Sequence, residues 1–513
     1  TVHLGGKMNP NAKIPKGMSF EDNSYTRLLK ENLNIQVVYD WTASTSDYDE
    51  KMSLCIGSNT IPEIMNVNAT QYRALLKYDM IQPLDKYFDD YASDALKSYV
   101  KSGGEELQKC ITNEDGELMA IPAPNLTAGG VNEMWIRQDW LDALGLDVPR
   151  TWDELAEVAK AFVTRDPDGN GENDTIGILG PGNSDHMNAV GGNQFGLDPL
   201  FSCFQSYPQY WLKSEDGSVE YGSIQPETKT ALENISKLYA DGVIDPETLV
   251  RSDSKEPLLA GKVGIFFGPW WCAYTFAATT LSGSADWRAY FTPLSEDGKY
   301  YTHMAEPTTQ YVVASKDCKN PEAAFKIINY LVANEQKWVE EGVTSTEMGT
   351  GDFYPLYNTY DNADEIEKSY EALTKYLAGD ISMDDVDFST HKLLKNDMEA
   401  VTKLKKKPYD DFSLKYWNLD SDLAKTNLPR LVAIMVGDAP LVNEEYVPVY
   451  NAYNGQTETM EAKWANLKKM EEETFAKIIM GKADISEFDT FVKNWKNQGG
   501  DQILKEINDE LSK

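Results

Sequence analysis

Short β-branched runs alternate with amphipathic helical stretches along most of this chain, and that alternation leaves few folds open. NIQVVYDW (34–41) has the period of a strand that ends on an aromatic, and SDYDEKMSLCIGS (46–58) follows as a helix. IPEIMNVN (61–68) is a short buried strand that runs into the helical ATQYRALLKYDMI (69–81). After LMAIPAPN (118–125) the rhythm restarts with MWIRQDW (134–140), strand into helix. A helix with a glycine stop is expected within 225–247, and the strand GKVGIFF leads into an aromatic turn, GPWW. THMAEPTTQYVVAS (302–315) reads as one strand with a proline break near its start, followed by the helix NPEAAFKIINYLV (320–332). Such a rhythm predicts α/β units, in which ligands gather beyond the carboxyl ends of strands. Here those ends are the neighbourhoods of Trp41 and of residues 66–68.

Bulk properties exclude several functions. With 513 residues, 41% of them hydrophobic, the chain can bury two cores. Its 82 acidic against 48 basic residues give a net charge of −34, which repels nucleic acid and anionic membrane surfaces. No apolar run is long enough to cross a bilayer. The opening TVHLGGKMNP has neither an initiator Met nor an apolar signal core, so a mature or trimmed chain is expected. Cys55, Cys110, Cys203, Cys272 and Cys318 are odd in number and never form CxxC, and His3, His186, His303 and His391 are scattered. Neither a zinc site nor a disulfide framework follows from these spacings. No nucleophile elbow or phosphate loop is present, and a pair of carboxylates could be drawn in any chain this acidic.

The segment RDPDGNGENDTIGI (165–178) carries oxygen donors on alternate positions: Asp166, Asp168, Asn170, Glu172 and Asp174. Hard oxygen ligands at this spacing suit calcium, and an ion here is expected to be structural. The first six residues fit the EF-hand pattern, but the twelfth place is Gly177 where that motif needs a glutamate. Helix, loop and strand are therefore expected rather than two helices. The helix entering the loop is marked by a capping box, Thr151 with Glu154, and by Trp152, Leu155, Val158, Ala159 and Phe162 on one face.

Recognition potential concentrates in aromatic residues at strand ends. Trp270 and Trp271 follow a Gly-Pro break in a buried strand, a place that exposes at least one of two adjacent rings. A flat indole offers an apolar face to the C–H surface of a sugar, so both are candidate ligand residues. Trp140, Trp152, Trp464 and Trp495 lie in amphipathic helical patterns and are expected in cores.

Taken in order, IPEIMNVN, AIPAPN, WIRQDWLDALGLDVPRTWDEL, DPDGNGENDTIGI, YGSIQPETKTAL, GKVGIFFGPWW and NPEAAFKIINYL resemble the extracellular solute-binding proteins of bacterial ABC importers, in particular the large lipoprotein-type branch of Gram-positive bacteria. The resemblance covers nearly the whole chain. It implies an α/β, two-lobed periplasmic-binding-protein-like fold of type II, with crossover strands, a cleft that closes on ligand, and delivery to membrane permease subunits. One lobe would comprise 1–128 with 303–350, the other 129–302 with 351–513. The implied protein is a monomer and not an enzyme, a cell-surface lipoprotein whose lipid anchor is not in the given chain. Its ligand would be an oligosaccharide, neutral given the charge balance; a peptide or amino acid, or sugar chemistry, are the alternatives. DPDGNGENDT is similar to the calcium loop of alginate-binding relatives, with Thr175 where an acid is usual. GPWW matches the position of a stacking tryptophan. Trp41, Asn68 and Glu306 match strand-end or crossover positions that face the cleft. Arg137 would bind ligand or bridge the lobes, and Tyr416 and Trp417 would add a sugar platform or pack against the second lobe.

Overall fold

In the computed structural model, residues 1–182, 192–344, 349–388 and 391–511 are described; His186 lies outside them. In chain order the strands are β1 (Val2–Met8), β2 (Val37–Ser44), β3 (Ile64–Val67), β4 (Ile121–Pro124), β5 (Glu133–Arg137), β6 (Ile176–Leu179) and β7 (Trp211–Lys213). They continue with β8 (Val219–Tyr221), β9 (Val263–Gly268), β10 (Trp287–Tyr290), β11 (Tyr300–His303), β12 (Thr308–Ala314) and β13 (Tyr446–Val449). The chain divides into two compact units. The first comprises Thr1–Leu126, Pro307–Glu365 and Asp387–Lys392, and the second Thr127–Glu306, Ile366–Val386 and Leu393–Lys513.

The first unit is built on a five-stranded sheet, β2-β1-β3-β12-β4. β1 runs parallel to β2 and β3, whereas β12 is antiparallel to β3 and β4. Ile64, Met65 and Val67 of β3 and Val312 and Val313 of β12 form the centre of its core, covered by Phe325, Ile328 and Leu331 of the helix Glu322–Glu340. β1 has no counterpart in the sequence reading, because Gly5 and Gly6 interrupt its alternation. The glycines are there because the Trp41 indole lies against the backbone of Gly5 and the Phe20, Tyr39 and Thr42 side chains against that of Gly6. β2 runs to Ser44, so Trp41 sits inside the strand and not at its end.

The segment 302–315 is not one strand. β11 belongs to the second unit and β12 to the first, with the proline-interrupted stretch 304–307 between them. Residues 351–365 also pack with the first unit and not the second. Phe353, Tyr354, Leu356 and Tyr360 are buried in its core, and the Tyr354 hydroxyl donates to the Ile327 carbonyl at 2.5 Å.

The second unit holds the sheet β10-β5-β9-β6, in which β6 and β9 are parallel and the other pairings antiparallel. The capping box is formed, Thr151 accepting from the Glu154 amide at 3.3 Å, and starts the helix Trp152–Thr164. Leu155, Val158, Ala159 and Phe162 are buried from that helix against β9, with Trp140 and Trp495 inside the same core and Trp152 and Trp464 at its margin. The helix Pro226–Ala240 packs on the same core, and the helix Glu458–Ile479 on that helix. All five cysteines are free thiols, four of them buried.

One buried acid lies within this second core. Glu471 accepts from the Tyr221 hydroxyl at 2.8 Å and from the Ser223 hydroxyl at 2.8 Å. Burial nevertheless pushes its carboxyl from an ordinary 4.5 up to about 7. The folded protein thus holds this proton more tightly than the unfolded chain. Its stabilising contribution is fully present below pH 4.5 and lost as the pH rises through about 7. Glu471→Gln is expected to flatten that loss, about 3 kcal/mol at full effect. Thermal unfolding of both proteins at pH 5 and pH 8 checks it: the two melting curves should diverge toward pH 8, with the variant the more stable there.

Candidate functional site

β9 is buried along its whole length and leaves the sheet at Gly268. Pro269 then turns the chain into a single 3-10 turn, Trp270–Cys272, continued by the helix Ala273–Leu281. The antiparallel register of β5 on β9 sets Glu133 opposite Gly268, so the first residue of β5 and the exit of β9 share one end of the sheet. The Trp135 indole donates to the Gly268 carbonyl at 3.2 Å and ties the exit down. A second element reaches this end. The helix Asp422–Val432 passes into the π-helical turn Ala433–Gly437, a departure from regular helix that recurs at functional sites. Gly437 packs so tightly that a Cβ there would lie 2.8 Å from the Trp270 carbonyl oxygen and 2.9 Å from the Trp135 ring.

The two adjacent tryptophans separate in role. Trp270 is only 5% exposed, and its indole N–H has no acceptor among the described residues. Trp271 is half-buried. One turn further, Tyr274 is 47% exposed, its ring edge-on to Trp270 at 6.5 Å between centroids. The Tyr274 hydroxyl faces the Arg430 guanidinium, whose Nε donates at 2.9 Å to both oxygens of Asp397.

Two acids are buried at this end of the sheet: Glu133 and Asp438, the residue after the π turn, are fully buried, and none of their four carboxyl oxygens has a hydrogen-bond partner among the described residues. Loss of water pushes both carboxyls well above the usual range, and Asp438 raises Glu133 further by like-charge repulsion. Of this group only the tryptophan pair was legible in the sequence. Glu133, Tyr274, Asp397, Arg430 and Asp438 were missed, and no local motif marks them, since four separate chain segments supply them.

The other expected ligand residues lie elsewhere. Arg137 is at the opposite end of β5, four residues from Glu133 and hence about 13 Å away along the strand. Its donors are committed within the second unit: to both oxygens of Asp139 at 2.8 and 2.5 Å, to the Gly261 carbonyl at 3.1 Å and to the Ser284 carbonyl at 3.1 Å. It lies over the Trp140 ring as well. It is a structural knot, neither open to a ligand nor a bridge between lobes. Trp417 is buried, donates from its indole to the Phe412 carbonyl at 3.2 Å, and packs under Lys405. Its loop docks by Leu414 on Asp286, beside the Arg137 end of the sheet. In the first unit, Trp41 packs on Tyr48, and Asn68 spends its side-chain oxygen on capping the helix Ala69–Lys77. Glu306 is the last residue of the second unit before the chain crosses.

The loop 165–175 gathers three of the expected donors around a fourth. Asn170 donates from its side-chain nitrogen to Asp168 at 2.9 Å and to Asp174 at 3.2 Å, while Asp166 accepts the Asn170 and Gly171 amides at 3.1 and 3.0 Å. Crowding by burial and by Asp166 raises the Asp168 carboxyl above its usual range. Asp174 does not close a cage: its second oxygen pairs with Lys262 at 2.8 Å. The Glu172 side chain is exposed. Among the described residues no three His, Cys, Asp or Glu side chains are grouped as a metal site. Strand β6 follows the loop. At Gly177, the twelfth place, a Cβ would stand 2.6 Å from the Val243 carbonyl oxygen, so the glutamate of an EF-hand cannot be accommodated.

Residues 13–338 match the family described as bacterial extracellular solute-binding protein. The chain belongs to that family. Among curated relatives it is 30% identical over 259 residues to the fructooligosaccharide ABC transporter substrate-binding protein FusA of Streptococcus pneumoniae serotype 4, covering 47% of this chain and 45% of FusA. It is 28% identical over 251 residues to the lipoprotein LipO of Bacillus subtilis, again 47% of this chain and 45% of the relative. The polygalacturonan/rhamnogalacturonan-binding protein YtcQ of the same species is 25% identical over 276 residues, 51% of each chain. The chain thus spans about half the length of the curated relatives it matches. Among solved structures, an HMO-binding, ABC-transporter-associated solute-binding protein of Bifidobacterium longum infantis aligns with TM-score 0.61 at 17% identity, over 99% of this chain and 98% of that one. An alginate-binding protein solved without calcium aligns with TM-score 0.55 at 15% identity, over 99% and 97%. The fold of this solute-binding family member is accordingly the α/β periplasmic-binding-protein-like fold.

Because neither the Trp270 carbonyl nor the Trp135 ring can yield at Gly437, Gly437→Ala is expected to destabilise the protein by about 1–3 kcal/mol. Chemical denaturation checks the size, and a change in tryptophan fluorescence of the native state should accompany it.

Proposed function

We propose that this chain is the extracellular ligand-binding component of a bacterial ABC importer, and that it captures a neutral oligosaccharide on the aromatic turn of the second unit without chemistry. The observation that carries the reading is the turn itself. Trp270 anchors it in the core, while Trp271, next in sequence, is only half-buried and would offer its indole face to a sugar ring. Neutrality is supported by the net charge of −34, which disfavours an anionic ligand, and by Arg430, the arginine that faces Tyr274, being already held by Asp397. FusA, a fructooligosaccharide-binding protein, and YtcQ, a polygalacturonan/rhamnogalacturonan-binding protein, support an oligomeric sugar as the ligand class, and the lipoprotein LipO supports a lipid-anchored place on the cell surface. Reversible capture followed by delivery to permease subunits requires no catalytic residue.

Titration calorimetry with neutral gluco-, fructo-, xylo- and galacto-oligosaccharides, uronate oligomers and short peptides tests this. Heat is expected for at least one neutral series, and Trp271→Ala should weaken it by tenfold or more with melting unchanged. Heat from peptides or uronates alone would overturn the ligand class.

We also propose that calcium is held structurally by Asp166, Asp168, Asn170 and Asp174. The convergence of these side chains supports it, with the Asn170 amide turned to present its oxygen and Asp174 released from Lys262. An ion bound at a hundredfold over its Kd adds about 2.7 kcal/mol. Calcium should therefore raise the melting temperature relative to chelator, and Asp168→Asn should abolish the rise. An unchanged melting curve would leave the loop as a hydrogen-bonded turn closed by Lys262.

A further inference from the structure

Tyr274 is one of the large hydrophobic side chains that the second unit leaves open to solvent. Exposed aromatics are ordinary when they stand alone and move freely. This one does neither. Trp270 stands against one edge of its ring, and the Arg430 guanidinium faces its hydroxyl. Arg430 is fixed in turn by Asp397, which is 4% exposed and receives the guanidinium Nε on both oxygens.

Burying an ion pair costs desolvation that its attraction only partly offsets. Such a pair beneath an exposed ring needs a reason, because a solvent-facing tyrosine folds equally well without one. A ring held in place loses little conformational freedom when something lies on it, and a flat ring with few rotatable bonds is an efficient contact surface. Position adds the next step. Tyr274 lies three residues after Trp271 on the same turn of chain, and side chains at that spacing share a helical face about 5–6 Å apart. Neighbouring rings of a glycan are spaced on that scale.

We propose that Tyr274 is a second stacking platform, positioned by the Arg430–Asp397 pair, so that the site takes at least two linked sugar rings, one on Trp271 and the next on Tyr274. The inference rests on the reading of the aromatic turn as the sugar site and adds to it a length requirement. Trp271 alone would hold one ring; Tyr274 makes binding of the second ring favourable, so the disaccharide unit and not the monosaccharide is the minimal ligand. Arg430 acts through Tyr274 by holding its ring against Trp270.

The test uses the full chain and homologous neutral series of one to four rings, from glucose to maltotetraose, fructose to nystose, xylose to xylotetraose and galactose to β-1,4-galactotetraose, read by calorimetry. For the wild type, affinity should rise about tenfold or more on going from one ring to two. In Tyr274→Ala that gain should vanish, whereas Tyr274→Phe, which keeps the ring but loses the hydroxyl that faces Arg430, and Arg430→Gln should each reduce it several-fold without abolishing it. Tyr274→Asn serves as a second ring-deleting variant should the alanine variant fold poorly. If Trp271→Ala abolishes binding while Tyr274→Ala and Tyr274→Asn keep the full gain, the second platform is wrong and the aromatic-turn site stands. If no series binds the wild type at any length, or if Trp271→Ala leaves binding unchanged, the sugar-site reading fails and this inference with it.

Discussion

The register that sets Glu133 opposite Gly268 governs the end of the second unit that carries the aromatic turn. Antiparallel pairing brings the start of β5 and the exit of β9 to the same edge, so a buried acid and the aromatic turn become neighbours although they are far apart in sequence. The same register sends Arg137 to the other end, beside Trp287 of β10, where it is consumed by Asp139 and two carbonyls. A shift by one residue would turn the side chains of β5 to the opposite face and dissolve both arrangements. The π turn before Asp438 depends on this edge as well, because the Trp270 carbonyl and the Trp135 ring leave room for nothing larger than glycine at 437.

Some uncompensated polarity lies at this edge. Glu133, Asp438 and the Trp270 indole are buried without hydrogen-bond partners among the described residues, as are a number of polar atoms elsewhere in the chain. By contrast, the buried Glu471 in the same unit accepts two hydroxyl protons and serves only packing. Polar groups left unsatisfied beside an exposed, clamped aromatic surface are the expected signature of a site whose partners come from outside the chain. The oxygen-rich loop differs in this respect. Its donors satisfy one another through Asn170, and Lys262 neutralises Asp174, which suits a brace at a helix-to-strand junction.

Local signals were read well from the sequence. The capping box at Thr151 and Glu154, the buried face of its helix, the β3 and β9 strands and the strand after the oxygen-rich loop all follow from short-range patterns. The misreadings share a cause. β1 is hidden because glycines replace side chains where Trp41 packs, and 302–315 looked continuous because its two halves each have strand character while belonging to different units. Trp417 and Arg137 look like ligand residues by type, yet Phe412, Lys405, Asp139 and two backbone carbonyls occupy them, partners that no nearby sequence reveals.

By itself the sequence determined the α/β alternation, the family, the acidity that disfavours anionic partners and the tryptophan pair after a Gly-Pro turn, because each is set by residues within a few positions or by composition. Only the tertiary structure decided which tryptophan is buried and which half-buried, that Tyr274 is held by Arg430 and Asp397, and that Glu133 and Asp438 are buried together at that edge. Those outcomes depend on strand register and on where the helix 422–432 delivers its π turn. Both are fixed by the packing of distant segments, which no local pattern encodes.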